Sequence, residues 1–412
     1  MDGQVVVTGL GAVTPVGNDR ESTWQALIKG VSGVDKITAF DPAGLPTQIA
    51  GEVKGFDPAA LLDTKRLRRS ARFSQLAIAA GREAVADAGL VLDDDLKTRT
   101  GVVVNLAVAG MGEVERATRQ IAAPEPARLS PYYVSSVIPN MAACEVAIDL
   151  GVHGPVTASA LACASGIYAF LEGRRLILSG EADVVVCGGT DSSITPVMFA
   201  GLSSMGALSK RNEDPARASR PFDASRDGFV YGEGAVLAVL ESAEHAQARG
   251  ARIYATVAGG ALTSDAFHVS APEPSARWTA EAIRLALQRS RSGPADVGYI
   301  CAHGTSTRAN DRTETAAIKQ VFGPHAGEVA ISSPKSMVGH LIGAAGSLSA
   351  MVAILAMRDG VVPPTINLDT PDPECDLDYV PNVARPMEVG VAMVNAFGFG
   401  GQNVVTVFTR GG

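Results

Sequence analysis

Cys163 stands in a run of small residues, Ala160-Leu161-Ala162-Cys163-Ala164-Ser165-Gly166. Apolar Val156 ahead of it, and the spacing of Ile167, Phe170 and Leu171 behind it, predict a strand leading in and a helix leading out. That puts the thiol at a helix N-terminus, where free N–H groups and the macrodipole favour thiolate and small neighbours let a substrate approach. A buried structural cysteine is the commoner fate of this residue type, and both readings stay open here for Cys163. Cys187 and Cys301, inside apolar runs, read as structural. Two of the six histidines share a comparable setting. His303, in Cys301-Ala302-His303-Gly304-Thr305-Ser306-Thr307, follows an apolar run. His340, in Lys335-Ser336-Met337-Val338-Gly339-His340-Leu341-Ile342-Gly343, opens into a helical pattern. Strand C-terminal ends are where α/β folds put their sites, so a nucleophilic thiol and two imidazoles are the groups on offer for catalysis. His153, His245, His268 and His325 lack that context, and no HExxH or carboxylate-rich loop suggests a metal. Gly398-Phe399-Gly400-Gly401 follows another apolar run. As a functional turn it would aim backbone N–H groups at a developing oxyanion, with Phe399 as a mobile plug. As an ordinary tight turn it would do neither.

The elements that must position these groups are short β-branched runs alternating with helical patterns. Strands are predicted over 5–8, 101–104, 184–187, 235–240, 254–257, 297–301, 329–332, 391–394 and 404–408, and helices over 21–28 and 74–88. Gly9-Leu10-Gly11 is expected to form a turn after the first strand. Apolar runs without alternation fit strands covered on both faces, so the class is α/β, with buried sheets between helical layers. A weak repeat supports a duplicated unit. VVVTGLGAVTP at 5–15 resembles YATVAGGALTS at 254–264, and 155–180 resembles 329–360, each pair with the same order of strand, small-residue turn and helix. The charged stretch 241–252 is the expected junction, dividing the chain into halves 1–250 and 251–412.

Composition narrows the function. The 412 residues are 46% hydrophobic and 19% charged, enough for a large core. With 44 glycines and 5% aromatics, that core is built from small aliphatic side chains and tight turns. A net charge of −8 makes a poor general binder of nucleic acid or anionic membrane, so an anionic partner must meet a local patch. Five cysteines without CxxC argue against a disulfide framework and a zinc ribbon. The glycine motifs lack a third glycine at nucleotide-binding spacing, and GxxxxGK[ST] is missing. The start, Met1-Asp2-Gly3-Gln4, carries no basic n-region. Two uncharged stretches, 151–171 and 336–357, reach membrane-spanning length but hold His, Ser and Gly and are read as buried. The expectation is a cytoplasmic protein.

The same residues, taken with several longer blocks, resemble the β-ketoacyl-acyl carrier protein synthases, in particular the type II elongating condensing enzymes. The blocks are VVVTGLGAVTPVG at the start, the Cys163 turn, ALSKRNEDPARASRPFDASRDGFVYGEGAVLAVLE (207–241), AHGTSTRANDRTE (302–314), KSMVGHLIGAAG (335–346), VPPTINLD (362–369) and NAFGFGGQN (395–403). They span essentially the whole chain in the family's order. The resemblance implies a thiolase-like fold, five layers αβαβα from two duplicated halves. It implies that Cys163 takes the acyl chain as a thioester. His303 and His340 would hydrogen-bond the malonyl thioester oxygen during decarboxylation, with Lys335 and Glu314 supporting them. The N–H groups of Cys163 and Phe399 would form the oxyanion hole, Thr305 and Thr307 would bind the pantetheine arm, and Val108 and Leu202 would line the acyl pocket. Tyr133 falls where the family reaches across a dimer interface. Lys65, Arg68 and Arg69, within a segment of five cations in 65–72, together with Arg128, would dock the acidic helix of acyl carrier protein.

The implied reaction is decarboxylative Claisen condensation of an acyl thioester with malonyl-acyl carrier protein in fatty acid elongation, with no organic cofactor. The implied partners are acyl carrier protein and either a second copy or a chain-length subunit. Leu161, Ser349, Leu202 and Gln402 depart from what the family commonly carries and leave a type II polyketide or polyene ketosynthase as the alternative. A non-catalytic chain-length subunit is a weaker alternative, because such subunits characteristically lack the nucleophile.

Overall fold

The computed structural model describes residues 3–124 and 128–411. Ten strands form the main sheet: β1 (Val5–Val13), β2 (Thr100–Asn105), β3 (Val156–Thr157), β4 (Val184–Asp191), β5 (Gly234–Ser242), β6 (Ala255–Ser264), β7 (Tyr299–Cys301), β8 (Ala330–Ser332), β9 (Val391–Gly398) and β10 (Gln402–Arg410). Their order is β8-β7-β9-β10-β6-β1-β5-β4-β2-β3. The middle join is slight: β1 meets β6 only at Val6 with Thr256 and Val7 with Ala255. Read outward from that join, both sides run first strand, fifth, fourth, second, third, with the outer three parallel and the rest antiparallel.

Helices cover every face. On one outside lie α1 (Arg72–Asp87) and α2 (Met141–Leu150). Between the two sheet halves lie α3 (Ser165–Leu178) and α6 (Ala345–Asp359), packed on each other, and on the far outside lie α4 (Arg277–Ser290) and α5 (Arg308–Phe322). The result is the expected five layers αβαβα from a duplicated unit. Three apolar clusters correspond to the spaces between layers, and the central one holds α3, α6 and strands of both halves. The segment Ile342–Asp359 is long and apolar enough to cross a membrane, but it is 89% buried as the inner helix. The other uncharged stretch, 151–171, breaks into β3, a turn and the start of α3.

One local expectation fails for a clear reason. Gly9-Leu10-Gly11 is no turn; it lies inside β1. A Cβ on Gly9 would sit 2.1 Å from the carbonyl oxygen of Ala84, and one on Gly11 2.0 Å from that of Ala80. These glycines let the α1 backbone lie directly on the strand. The predicted strand cores all fall inside observed strands except Tyr254, Val297, Gly298 and Val329, which precede β6, β7 and β8; the ends run longer where pairing continues.

Candidate active site

Strand β3 leads to Cys163 and α3 leaves it, through a tight turn over Ala162–Ala164. Ala162 is held at φ 48°, in the left-handed region, which is uncommon for a residue with a side chain and turns the chain sharply at the cysteine. The second half repeats the device. Ile342 has φ 51°, and a turn over Ile342–Ala344 feeds α6, with His340 two residues ahead of the left-handed residue. His303 leaves the end of β7. Phe399 stands on the hairpin between β9 and β10. The hairpin is pressed onto the cysteine turn: a Cβ on Gly398 would lie 2.5 Å from the Leu161 carbonyl oxygen and 3.3 Å from the Cys163 nitrogen.

These elements enclose a cavity of about 630 Å³, lined by Cys163, His303, His340, Phe399, Thr305 and Thr307, with Glu314 at its wall. Val108 and Leu202 line it too. The Thr305 and Thr307 hydroxyls lie 2.9 Å apart, and Thr307 also caps α5.

The two imidazoles meet nearly at right angles, ring centroids 5.5 Å apart. Nδ1 of His340 accepts the Ile342 N–H at 3.2 Å, which leaves the proton on Nε2. That Nε2 has no partner, nor does Nδ1 of His303, although both atoms are buried. Burial, and then the Lys335 charge, hold both rings well below the usual histidine range, so both are neutral. The His303 backbone is gripped from two sides. Lys335 Nζ donates to its carbonyl at 2.6 Å, and Glu314 accepts the N–H groups of His303 and Gly304, each at 2.8 Å. Asn395, which the sequence reading missed, donates to Glu314 at 3.0 Å.

The expectation of a ready thiolate is corrected. Burial pushes the Cys163 thiol up to about 12. The Lys335 charge and the N–H groups of Phe399 and of Cys163 itself pull the other way without overcoming it. The cavity wall excludes more water than the turn's dipoles replace. Those same two N–H groups are the pair expected to receive an oxyanion.

Asp191 is a second residue the sequence reading missed. It is fully buried at the end of β4 and accepts N–H groups from Ala107 (3.0 Å), Val108 (3.3 Å) and Gly343 (3.2 Å), stitching the Val108 loop to the turn after His340. Burial pushes its carboxyl up to about 6 against those hydrogen bonds. An acidic residue following the glycine pair Gly188-Gly189 at a strand end was the available signal.

The basic segment divides. Arg66 pairs with Asp149 at 2.6 Å and Arg72 with Glu233 at 2.7 Å, so both serve the fold. Lys65 and Arg68 are exposed, and Arg69 lies over the Tyr132 ring at 4.7 Å. Arg68, Arg69 and Arg128 line a separate pocket of about 470 Å³. Tyr133 lines this pocket too, and stands apart from the Cys163 cavity of its own chain.

Comparison with known proteins agrees with this arrangement. The β-ketoacyl synthase N-terminal domain matches residues 2–246 and the C-terminal domain residues 254–369. A 3-oxoacyl-[acyl-carrier-protein] synthase 2 of Synechocystis is 47% identical over 99% of this chain and 98% of its own. Among solved structures, the ishigamide ketosynthase/chain length factor superposes with a TM-score of 0.92 at 37% identity, covering 99% of both chains. A type II polyketide ketosynthase, in complex with its acyl carrier protein and bound to a hexaketide, superposes with a TM-score of 0.92 at 33% identity, again over 99% of both. With both domains matched in order and the relatives aligned end to end, the chain belongs to the β-ketoacyl synthase family.

Proposed function

We propose that the protein condenses a Cys163-bound acyl group with malonyl-acyl carrier protein, giving a 3-oxoacyl-acyl carrier protein, carbon dioxide and a free carrier protein. The observation that carries this reading is one cavity holding a thiol, two neutral imidazoles with unpartnered nitrogens, and two N–H groups aimed at the sulfur. The Cys163 sulfur loses its proton, attacks the acyl carbonyl of the loaded carrier, and the carrier thiol leaves. The oxyanion of that step rests on the N–H groups of Phe399 and Cys163. Malonyl-carrier then enters along Thr305 and Thr307. Its carbon–carboxylate bond breaks, carbon dioxide departs, and the electron pair moves into an enolate whose oxygen takes hydrogen bonds from His303 and His340. Neutral donors suit a charge that appears only as the carboxylate leaves. The enolate carbon attacks the acyl carbon, and Cys163 leaves as thiolate. Lys335 and Glu314 act as positioning residues through the His303 backbone.

The halves 1–250 and 251–412 divide this work, the first supplying the nucleophile and the second the imidazoles. Carrier protein docks at Lys65, Arg68, Arg69 and Arg128. The exposed outer edge of β3 is open to a second copy or a chain-length subunit, where Tyr133 would cross. The reaction is set in fatty acid elongation in the cytoplasm. A ketosynthase of a type II polyketide or polyene pathway is the second reading, supported by the solved ketosynthases named above. The test is intact-mass detection of acyl groups on Cys163, followed by condensation with malonyl-carrier. Cys163→Ala should abolish both; wild-type-like elongation by that variant overturns the reading.

A further inference from the structure

The wall of the cavity beyond Cys163 is apolar except for one atom. Phe199, Leu202, Phe229, Ile342 and Ile194 form a cluster there, and Tyr231 sits among them with 1% of its surface exposed. Its ring centroid lies 5.6 Å from that of Phe199 and 6.5 Å from that of Phe229. Its hydroxyl has no hydrogen-bond partner.

That hydroxyl cannot readily find one within the protein. The Tyr231 backbone is bridged to His340, and its carbonyl accepts the Gly51 N–H at 2.8 Å, so the residue is fixed in place. The polar groups around it, Asp191 and Ser193, are engaged elsewhere. Asp191 holds three backbone N–H groups, and the Ser193 hydroxyl donates to the Ala109 carbonyl at 3.1 Å. Burial keeps the phenol protonated, so it is a neutral donor. A phenylalanine would pack against the same rings without stranding a donor, and a stranded buried donor is a standing cost to the fold. The cost is recovered when a bound molecule brings an acceptor.

We propose that the acyl pocket is built for a chain bearing a hydroxyl or keto oxygen, and that Tyr231 is the residue that selects it. This rests on the condensing function proposed above and narrows its substrate class. A saturated chain leaves the hydroxyl unpaired, whereas an oxygenated chain accepts its proton. A neutral hydrogen bond against an unmade one corresponds to about tenfold in rate or affinity.

The test measures single-turnover loading of Cys163 from hexanoyl-, oxohexanoyl- and hydroxyhexanoyl-acyl carrier proteins, with the oxygen placed at successive carbons. The wild type should load at least one oxygenated chain about tenfold faster than hexanoyl. Tyr231→Phe should erase that ratio, slowing the oxygenated chain and sparing hexanoyl. A wild-type protein that loads all chains alike overturns the inference and leaves the condensing function standing, and this result needs no variant. A preference that survives Tyr231→Phe, or a variant that slows every chain equally, also overturns it, because the residue is then only a wall. Loading of no chain at all removes the condensing function, and the inference with it.

Discussion

Replacing His340 by Ala removes a donor whose geometry is defined. Its Nδ1 is occupied by the Ile342 N–H, so the lost group is the Nε2–H, which nothing else in the protein uses. One oxyanion donor typically contributes about 10²–10³ in rate, roughly 3–4 kcal/mol. Decarboxylation of malonyl-carrier should fall by that factor in His340→Ala and in His303→Ala. Loading should fall much less, since the groups that favour the Cys163 thiolate are Lys335 and backbone N–H groups. The two steps should also differ in pH dependence. Both histidines titrate well below the usual range, so decarboxylation should be flat from about pH 6.5 to 9. The thiol titrates at about 12, above that window, so the thiolate fraction, and loading with it, should rise about tenfold per pH unit. The assay is single-turnover loading from a pantetheine thioester, with carbon dioxide release measured separately. Loading that is flat with pH, or that vanishes in one histidine variant while decarboxylation survives in the other, would mean a paired Cys–His base and refute the reasoning.

Three further outcomes are expected. Reversing Lys65, Arg68 and Arg69 to Glu should raise KM for carrier-protein substrates by about tenfold to a hundredfold at low salt and flatten the salt dependence, while a pantetheine mimic is turned over unchanged. Equal loss with both substrates would assign the segment to folding. Gly398→Ala should slow acyl transfer with little loss of melting temperature, because the new Cβ meets the Leu161 carbonyl and forces the Phe399 N–H away from the sulfur; unchanged loading would remove that N–H from the oxyanion hole. Burial raises the Asp223 carboxyl, but hydrogen bonds from Ser225, Thr370 and Arg220 outweigh it and hold it at about 2, against 3.8 when free. Its contribution, about 2 kcal/mol, is complete above pH 3.8 and is lost as pH falls through about 2. Asp223→Asn should therefore flatten the acid limb of stability against pH, and an unaltered limb in acid titration would contradict this.

The chemistry of this molecule was more legible than its geometry. Strands declared themselves by unbroken β-branched runs, and Cys163, His303 and His340 by lying among small residues at strand ends. Three things stayed hidden. Gly9 and Gly11 read as a turn because a glycine needed for backbone contact looks the same in sequence as one needed for a bend. The state of the cysteine depended on how much water the opposite half excludes, which no local pattern around residue 163 carries. Asp191 and Asn395 act through partners 81 to 152 residues away, so neither belongs to a motif. Arg66 and Arg72 could not be told from Lys65 and Arg68 until Asp149 and Glu233 were seen beneath them.

The paired turns at Ala162 and Ile342 record a division of labour between once-equivalent sites. In one copy the residue after the left-handed bend is Cys163. In the other it is Gly343, where a Cβ would lie 2.8 Å from both the Ala107 nitrogen and the Asp191 carboxylate. The second copy has thus closed the space a nucleophile of its own would occupy, and gives that space to the acid that ties both copies together. A symmetric ancestor offers two elbows facing one another; this chain has specialised one as the attacking arm and the other as its frame. Reinstalling a side chain at position 343 would not restore a second active centre. It would wedge apart the contact on which the surviving one depends.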